Sequence, residues 1–333
     1  MTETSVASPT PRPFPETRTS PSDTLVVTAR DQVAEDVVLI SLARADGGRL
    51  PNWTPGAHID LILPSGATRQ YSLCGDRWGA HTYQIAVQKE DDSRGGSAEV
   101  HSTMHPGTTA QFGGPRNNFR MGPAEHYRFI AGGIGITPIL PMIRQAHLLG
   151  ADWKLLYLGR ERGRLPFQEE LPALYGDNVE VHVSGTSGRR NIRAWLDNLP
   201  DEALIYACGP EPLLNAAESL RSSFSPPQVR TERFSAKAQT EASSAEPYEV
   251  VLEATGRTVQ AQAHQTIAEA LHSAGIDIVT SCGQGVCGTC ETTVLDGQPD
   301  HRDSILEADE REDNTCVFPC VSRSTSRRLV MDL

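Results

Sequence analysis

Three cysteines, Cys282, Cys287 and Cys290, stand in the stretch SCGQGVCGTCE among Gly283, Gly285 and Gly288, in a chain with seven cysteines in all. Their spacing is C-x4-C-x2-C, and Cys320 follows after 29 intervening residues, with Cys316 four positions before it. Thiolates are soft ligands that select zinc or iron–sulfur clusters over hard cations. Zinc sites usually bring two short hooks of paired ligands, whereas this sequence has one hook and a distant cysteine, so the spacing favours iron and sulfide. Glycines permit the tight, partly left-handed turns that aim backbone N–H groups at the sulfurs. In a reducing compartment clustered thiols also favour metal or redox chemistry over disulfides.

The rest of the chain must position this loop. At 333 residues it is long enough for two or three domains. It has no run of 18 apolar residues, and its N-terminus lacks the basic and apolar regions of an export signal. A soluble, cytoplasmic protein is expected. Residues 1–22, rich in Pro, Ser and Thr, bury too little apolar surface to offset ordering entropy and are expected to be a disordered tail. The net charge of −12 argues against nucleic acid as a partner. Residues 246–333 hold 15 Asp or Glu against 6 Lys or Arg, net −9. That surface is either simply solvated or a docking face for a basic redox partner.

Between Thr24 and Arg120 short runs alternate apolar and polar residues (TLVVTAR, DVVLISLAR, HIDLILP, TYQIAVQKE), which predicts an antiparallel barrel or sandwich. From about Tyr127 strands (RFIAG, WKLLYLGR, NVEVHVS, ALIYACGP) alternate with helical stretches, which predicts a parallel sheet covered on both faces. Residues 235–246 are small and polar and read as a linker. Beyond them YEVVLEATGRTVQA reads as a hairpin and TIAEALHSAG as a helix.

The segment from CGQGVCGTC to CVFPCVSR resembles the plant-type ferredoxin module, whose 2Fe-2S cluster is held by C-x4-C-x2-C and a later cysteine. The resemblance implies Cys282, Cys287, Cys290 and Cys320 as metal ligands, with Cys316 the rival for the fourth place.

AGGIGITP, Ala131 to Pro138, follows a strand and opens a helix. Gly133 and Gly135 match the start of G-x-G-x-x-G, while Pro138 stands where the third glycine would be and reads equally well as a first helical residue. The helix N-terminus suits a pyrophosphate. Cys208, Gly209 and Pro210 of YACGP end a second strand; taken alone, Cys208 reads as a small buried hydrophobe. Together the two stretches resemble the nicotinamide domain of the ferredoxin-NADP reductase superfamily. That resemblance implies Gly132, Gly133, Gly135, Thr137, Pro138, Cys208, Gly209 and Pro210 at the dinucleotide, with Cys208 beside the nicotinamide and Thr137 between dinucleotide and flavin. In YLGRERGR, Glu161 suits the 2′-hydroxyl of NADH, whereas Arg160, Arg162 and Arg164 suit the 2′-phosphate of NADPH. The balance favours NADH.

RQYSL, residues 69 to 73, resembles the R-x-Y-S motif of the same superfamily; without company it would be an ordinary strand with an exposed Arg. Arg69 offers a charge for the flavin phosphate, Tyr71 a ring face, Ser72 a hydroxyl, with Leu73, Ala86 and Val87 as neighbouring flavin-binding candidates. The loop Arg94, Gly95, Gly96 and Ser97 offers backbone donors and a cation for a monophosphate. From Thr24 to Leu333 this order resembles the phthalate dioxygenase reductase family, including vanillate demethylase reductases, with Ser93 replacing a frequent glycine. The resemblance implies FMN, a stacking role for Phe234, and three modules: an antiparallel β-barrel flavin domain (23–122), an α/β parallel-sheet nucleotide domain (123–234) and, after the linker, an α+β, β-grasp ferredoxin domain (247–333).

Its implied activity is electron transfer from NADH through FMN and a 2Fe-2S cluster to a separate terminal oxygenase, either a Rieske non-haem iron enzyme acting on aromatic substrates or a haem-thiolate monooxygenase. Ser72, Thr137 and Cys208 are the catalytic candidates, and a monomer is expected for a protein that docks transiently. A non-catalytic redox sensor is the reading from another class; it lacks an output module. His58, His81, His101 and His105 read as surface or core histidines.

Overall fold

A computed structural model describes residues 24–90, 95–221, 228–237 and 246–333. The expected tail (1–22), Arg94 of the phosphate loop and most of the expected linker lie outside the described residues.

Six strands, β1 (Thr24–Ala34), β2 (Val37–Arg44), β3 (His58–Ile62), β4 (Thr68–Ser72), β5 (Tyr83–Gln88) and β6 (Thr109–Arg116), form an antiparallel sheet in the order β4-β3-β6-β1-β2-β5. Period-two patterning turns Leu25, Ile40, Ile59, Leu61, Ile85 and Phe112 into one core. A single antiparallel bridge, Leu73 to Ile85, with Cys74 N to Gln84 O at 2.9 Å, brings the chain beyond β4 onto β5 and rolls the sheet into a barrel. The helix Gly96–Thr103 adds Val100 to the same core.

The next five strands are β7 (His126–Gly132), β8 (Asp152–Gly159), β9 (Val179–Val183), β10 (Leu204–Cys208) and β11 (Val229–Glu232), ordered β11-β10-β7-β8-β9 and parallel throughout. The central strands bury Phe129, Ile130, Leu155 and Tyr206, while β9 is only half-buried because it has one neighbour. The order reverses between β7 and β10, and the crevice at the carboxyl ends of such a pair is where open α/β sheets bind ligands. AGGIGITP and CGP both lie there. Helix Ile136–Leu148 starts at Ile136, so Pro138 is its third residue and not its first; it still lies in the first turn, where no intrahelical N–H bond is lost.

The remaining strands are β12 (Tyr248–Leu252), β13 (Arg257–Ala261), β14 (Thr292–Asp296), β15 (Pro299–Asp300), β16 (Cys316–Val317), β17 (Arg323–Ser324) and β18 (Arg328–Met331). Five form a mixed sheet, β13-β12-β18-β14-β16, in which β12 and β18 run parallel. The helix Ile267–Ser273 packs Ile267, Ala270 and Leu271 onto it. A capping box between Thr266 and Glu269 fixes that helix start, worth about 1 kcal/mol. This β-grasp arrangement leaves the cysteine loop between helix and β14 free of regular structure. Among the described residues no helix is long and apolar enough to cross a membrane.

Candidate functional site

A cavity of about 400 Å³ opens where the three modules meet, within the range of small-ligand sites. The barrel contributes Arg69, Tyr71 and Ser72 from β4 with Ala86 and Val87 from β5; Ser97 follows from the GGS turn. The nucleotide module adds Ile134, Thr137 and the run Glu232 to Ser235, and the cysteine loop adds Gln284 and Val286. Arg69 lies against Gly96, and its Nη1 donates to Thr68 O at 2.8 Å. Thr137 donates to Ile134 O at 3.0 Å and is almost fully buried. Burial pushes the Tyr71 phenol up, so it stays protonated as a hydrogen-bond donor. These side chains suit a flavin mononucleotide: a cation at one end for the phosphate, and a ring face and hydroxyls further in. Leu73 is different, because its side chain is buried in the barrel core and does not reach the cavity.

A second cavity of about 740 Å³ adjoins the first and shares Gln88, Glu90, Ile134, Phe234 and Ser235 with it. Gly132, Gly133, Gly209 and Pro210 line it, together with Arg160, Glu161, Arg164, Arg189 and Arg190. Its volume and basic lining suit a dinucleotide. Arg164 is already paired with Asp36 of the barrel at 2.7 Å, and Arg190 with Glu180 at 2.8 Å. Arg162 turns away to Gln168, at 2.7 Å. Gly135 does not line the cavity; it packs against the Cys208 carbonyl so closely that no Cβ would fit, which locks the two turns together. Pro138 is buried in the helix beneath.

Cys208 was expected beside the nicotinamide, but its side chain is fully buried and lines neither cavity. Burial holds its thiol well above the ordinary value, with the Glu232 carboxyl adding to the effect. Glu232 was not singled out from the sequence. It lines the first cavity, its Oε2 is buried without a partner, and desolvation pushes its pKa up to about 8. His58 was also missed: read as an ordinary histidine, it stands in the wall of the first cavity and contacts the cysteine loop. Its pKa is lowered to about 4, by burial first and then by Arg116, so the ring is neutral.

In that loop Cys282, Cys287 and Cys290 are buried; Cys320, beyond β16, is half-buried. The thiols of Cys287 and Cys320 act electrostatically on Cys282, and that of Cys320 on Cys290, so the four sulfurs belong to one cluster. Cys282 is held below its ordinary value by the Cys287 and Cys320 thiols, which are raised in return. Gln284 N lies 3.2 Å from Cys282 Sγ, and Thr289 Oγ1 lies 3.3 Å from Cys287 Sγ. Four converging thiols with N–H and O–H groups beside them are the donor set that a 2Fe-2S cluster requires. Cys316 lies on β16 opposite Thr293.

Two joined cavities and a three-cysteine loop with Cys320 beside it define a pyridine-nucleotide-linked flavin and iron–sulfur reductase. Residues 250–325 match the 2Fe-2S iron-sulfur cluster binding domain family. A putative toluene-4-sulfonate monooxygenase system reductase subunit of Comamonas testosteroni is 39% identical, over 93% of this chain and 98% of the relative. The crystal structure of phthalate dioxygenase reductase, described as a modular structure for electron transfer from pyridine nucleotides to [2Fe-2S], superposes with a TM-score of 0.68 at 31% identity, covering 95% of this chain and all of the other. An intact type IV self-sufficient cytochrome P450 monooxygenase superposes with a TM-score of 0.89 at 37% identity over 93% of this chain, which spans 41% of that longer protein. The chain belongs to the phthalate dioxygenase reductase family.

Proposed function

We propose that the protein is the reductase component of an oxygenase system, taking electrons from NADH and delivering them through FMN and a 2Fe-2S cluster to a separate terminal oxygenase. The observation that carries this reading is the wall shared by three sites: Ile134 and Phe234 belong to both cavities, and Gln284 and Val286, between Cys282 and Cys287 in sequence, line the first. A flavin bound there supplies the conversion between two-electron hydride chemistry and one-electron transfer.

The protein's own groups bind and orient. Arg69, with Arg94, Gly95, Gly96 and Ser97, would hold the flavin phosphate; Tyr71, Ser72 and Thr137 would fix the ring, and Phe234 would cover it. Gly132, Gly133, Gly209 and Pro210 would cradle the dinucleotide, whose ribose meets Glu161. Cys282, Cys287, Cys290 and Cys320 would be the cluster thiolates. Glu232 keeps a proton at the cavity wall at neutral pH. Residues 23–122, 123–234 and 247–333 act as the flavin, nucleotide and ferredoxin modules of a cytoplasmic monomer.

The acceptor is most consistent with a Rieske non-haem iron oxygenase acting on an aromatic substrate, since the 39% relative serves an aromatic sulfonate monooxygenase system. A haem-thiolate monooxygenase is the second reading, favoured by the TM-score of 0.89 to the P450 protein. The test is the absorption spectrum, extracted flavin, and iron and sulfide content of the anaerobically purified protein, followed by stopped-flow reduction of both acceptor types with NADH. FMN and two irons per chain are expected; zinc in place of iron would overturn the assignment.

A further inference from the structure

The loop that carries Cys282, Cys287 and Cys290 is held by another module as well as its own. His58 Nε2 on β3 lies 3.1 Å from the Cys287 carbonyl oxygen, and Arg116 Nε on β6 donates to the same oxygen at 3.4 Å. Asp60 sits behind them, paired with Arg116 Nη2 at 2.6 Å and accepting from Gln70 Nε2 at 2.8 Å. Gln70 Nε2 is also 2.8 Å from Ser281 Oγ, one residue before the first cysteine. At Gly288, where φ is +76°, an added Cβ would press on the amide end of the Asn118 side chain, so the loop lies close against the barrel module.

We propose that His58 and Arg116 are positioning residues: through the Cys287 carbonyl they fix the cysteine loop against the flavin cavity, with Asp60 and Gln70 holding the pair in place. The inference rests on the reading of these two places as flavin and cluster sites. A carbonyl oxygen has two lone pairs, and donors from a different module occupy both. One is an imidazole N–H and the other a charged guanidinium N–H, the stronger kind. Leaving them without an acceptor in a buried interface is costly, so the loop leaves the barrel only when both are rehydrated. His58 also lines the flavin cavity, so one ring touches both the cavity and the backbone of a cysteine proposed to bind iron. Elsewhere Arg221 pairs with Glu307 at 2.6 Å, a contact between the nucleotide and ferredoxin modules that the barrel substitutions leave in place.

The experiment uses the full-length protein with its cofactors and the double variant Arg116→Met/Asp60→Asn, which removes a charge together with its partner; neither residue lines either cavity. Amide hydrogen exchange over residues 281–290 is expected to quicken about tenfold while β12 and β14 keep their protection. In stopped flow, cluster bleaching is expected to slow while flavin bleaching by NADH keeps its rate. His58→Leu should match the double variant in exchange, and His58→Gln, which retains an N–H donor, should return toward the original protein. If His58→Leu does not fold, the double variant decides alone. Unchanged exchange over 281–290 in a double variant with normal flavin and iron overturns the proposal. Lack of flavin or iron in the unsubstituted protein overturns the cofactor reading instead, and exchange still decides the contact.

Discussion

Cys208 and Glu232 are register partners at the carboxyl ends of the adjacent parallel strands β10 and β11. Burial raises both acids, and the carboxyl adds to the shift of the thiol. The ligand end of the sheet therefore carries two groups that keep their protons at neutral pH.

That pairing makes stability depend on pH in a defined direction. With its folded pKa raised from 4.5 to about 8, Glu232 contributes fully below about pH 4.5, and the contribution is lost as pH rises toward about 8. The loss is about 1.4 kcal/mol per unit of pH between those limits. Glu232→Gln should remove the dependence. Thermal midpoints of the two proteins from about pH 5 to 9 should diverge in favour of the Gln variant up to about pH 8 and then run parallel. A gap that stays constant with pH would show a carboxyl with ordinary solvation.

Arg69 is the described cation on the β4 side of the flavin cavity. Hydrogen bonds to a charged group contribute about 1.5–3 kcal/mol, so Arg69→Gln should weaken flavin binding by about 10- to 150-fold. Equilibrium dialysis followed by fluorescence of the released flavin measures it; full retention would place the phosphate elsewhere.

Cys320 and Cys316 should separate cleanly. Cys320 is influenced by the Cys282 and Cys290 thiols, whereas Cys316 lies on a strand with its thiol pushed up to about 11 by burial. Cys320→Ser is expected to lose most of the iron and the visible absorption of the cluster, and Cys316→Ser to keep both. Iron and sulfide assays read the outcome, and the reverse result would exchange their roles.

Choice of dinucleotide should turn on Glu161. A carboxylate in the second cavity repels a 2′-phosphate, while Arg164 and Arg190 are engaged by Asp36 and Glu180. Glu161→Gln should raise kcat/KM for NADPH relative to NADH by about tenfold, since like-charge relief of this size is about 1.4 kcal/mol. An unchanged ratio would mean that the ribose does not meet this residue.

The cysteine spacing, the two glycine turns and R-x-Y-S were readable because each depends on local backbone and a few adjacent side chains. The alternation of apolar residues likewise gave the barrel and the parallel sheet. What the sequence hid was set by distant packing. TERFSAK contains no pattern that distinguishes Glu232 from a surface glutamate; only the strand register places it in a cavity wall. His58 meets Cys287 across 229 residues, so no spacing could reveal it. Cys208 fits its motif, yet its side chain belongs to the core of the nucleotide module and the thiol lies beneath the surface. Leu73 follows the flavin motif but alternation turns it inward.

The incomplete closure of the barrel has a consequence for recognition. β4 and β5 are the outer strands of the six-stranded order and touch through one bridge, Leu73 to Ile85, and both line the flavin cavity. Strands in that position carry peptide groups with no neighbouring strand to satisfy them, a hazard that most sheets must shield from other chains. Here Arg69, Tyr71 and Ser72 of the one edge and Ala86 and Val87 of the other line the same cavity, so the two strand edges border a ligand chamber.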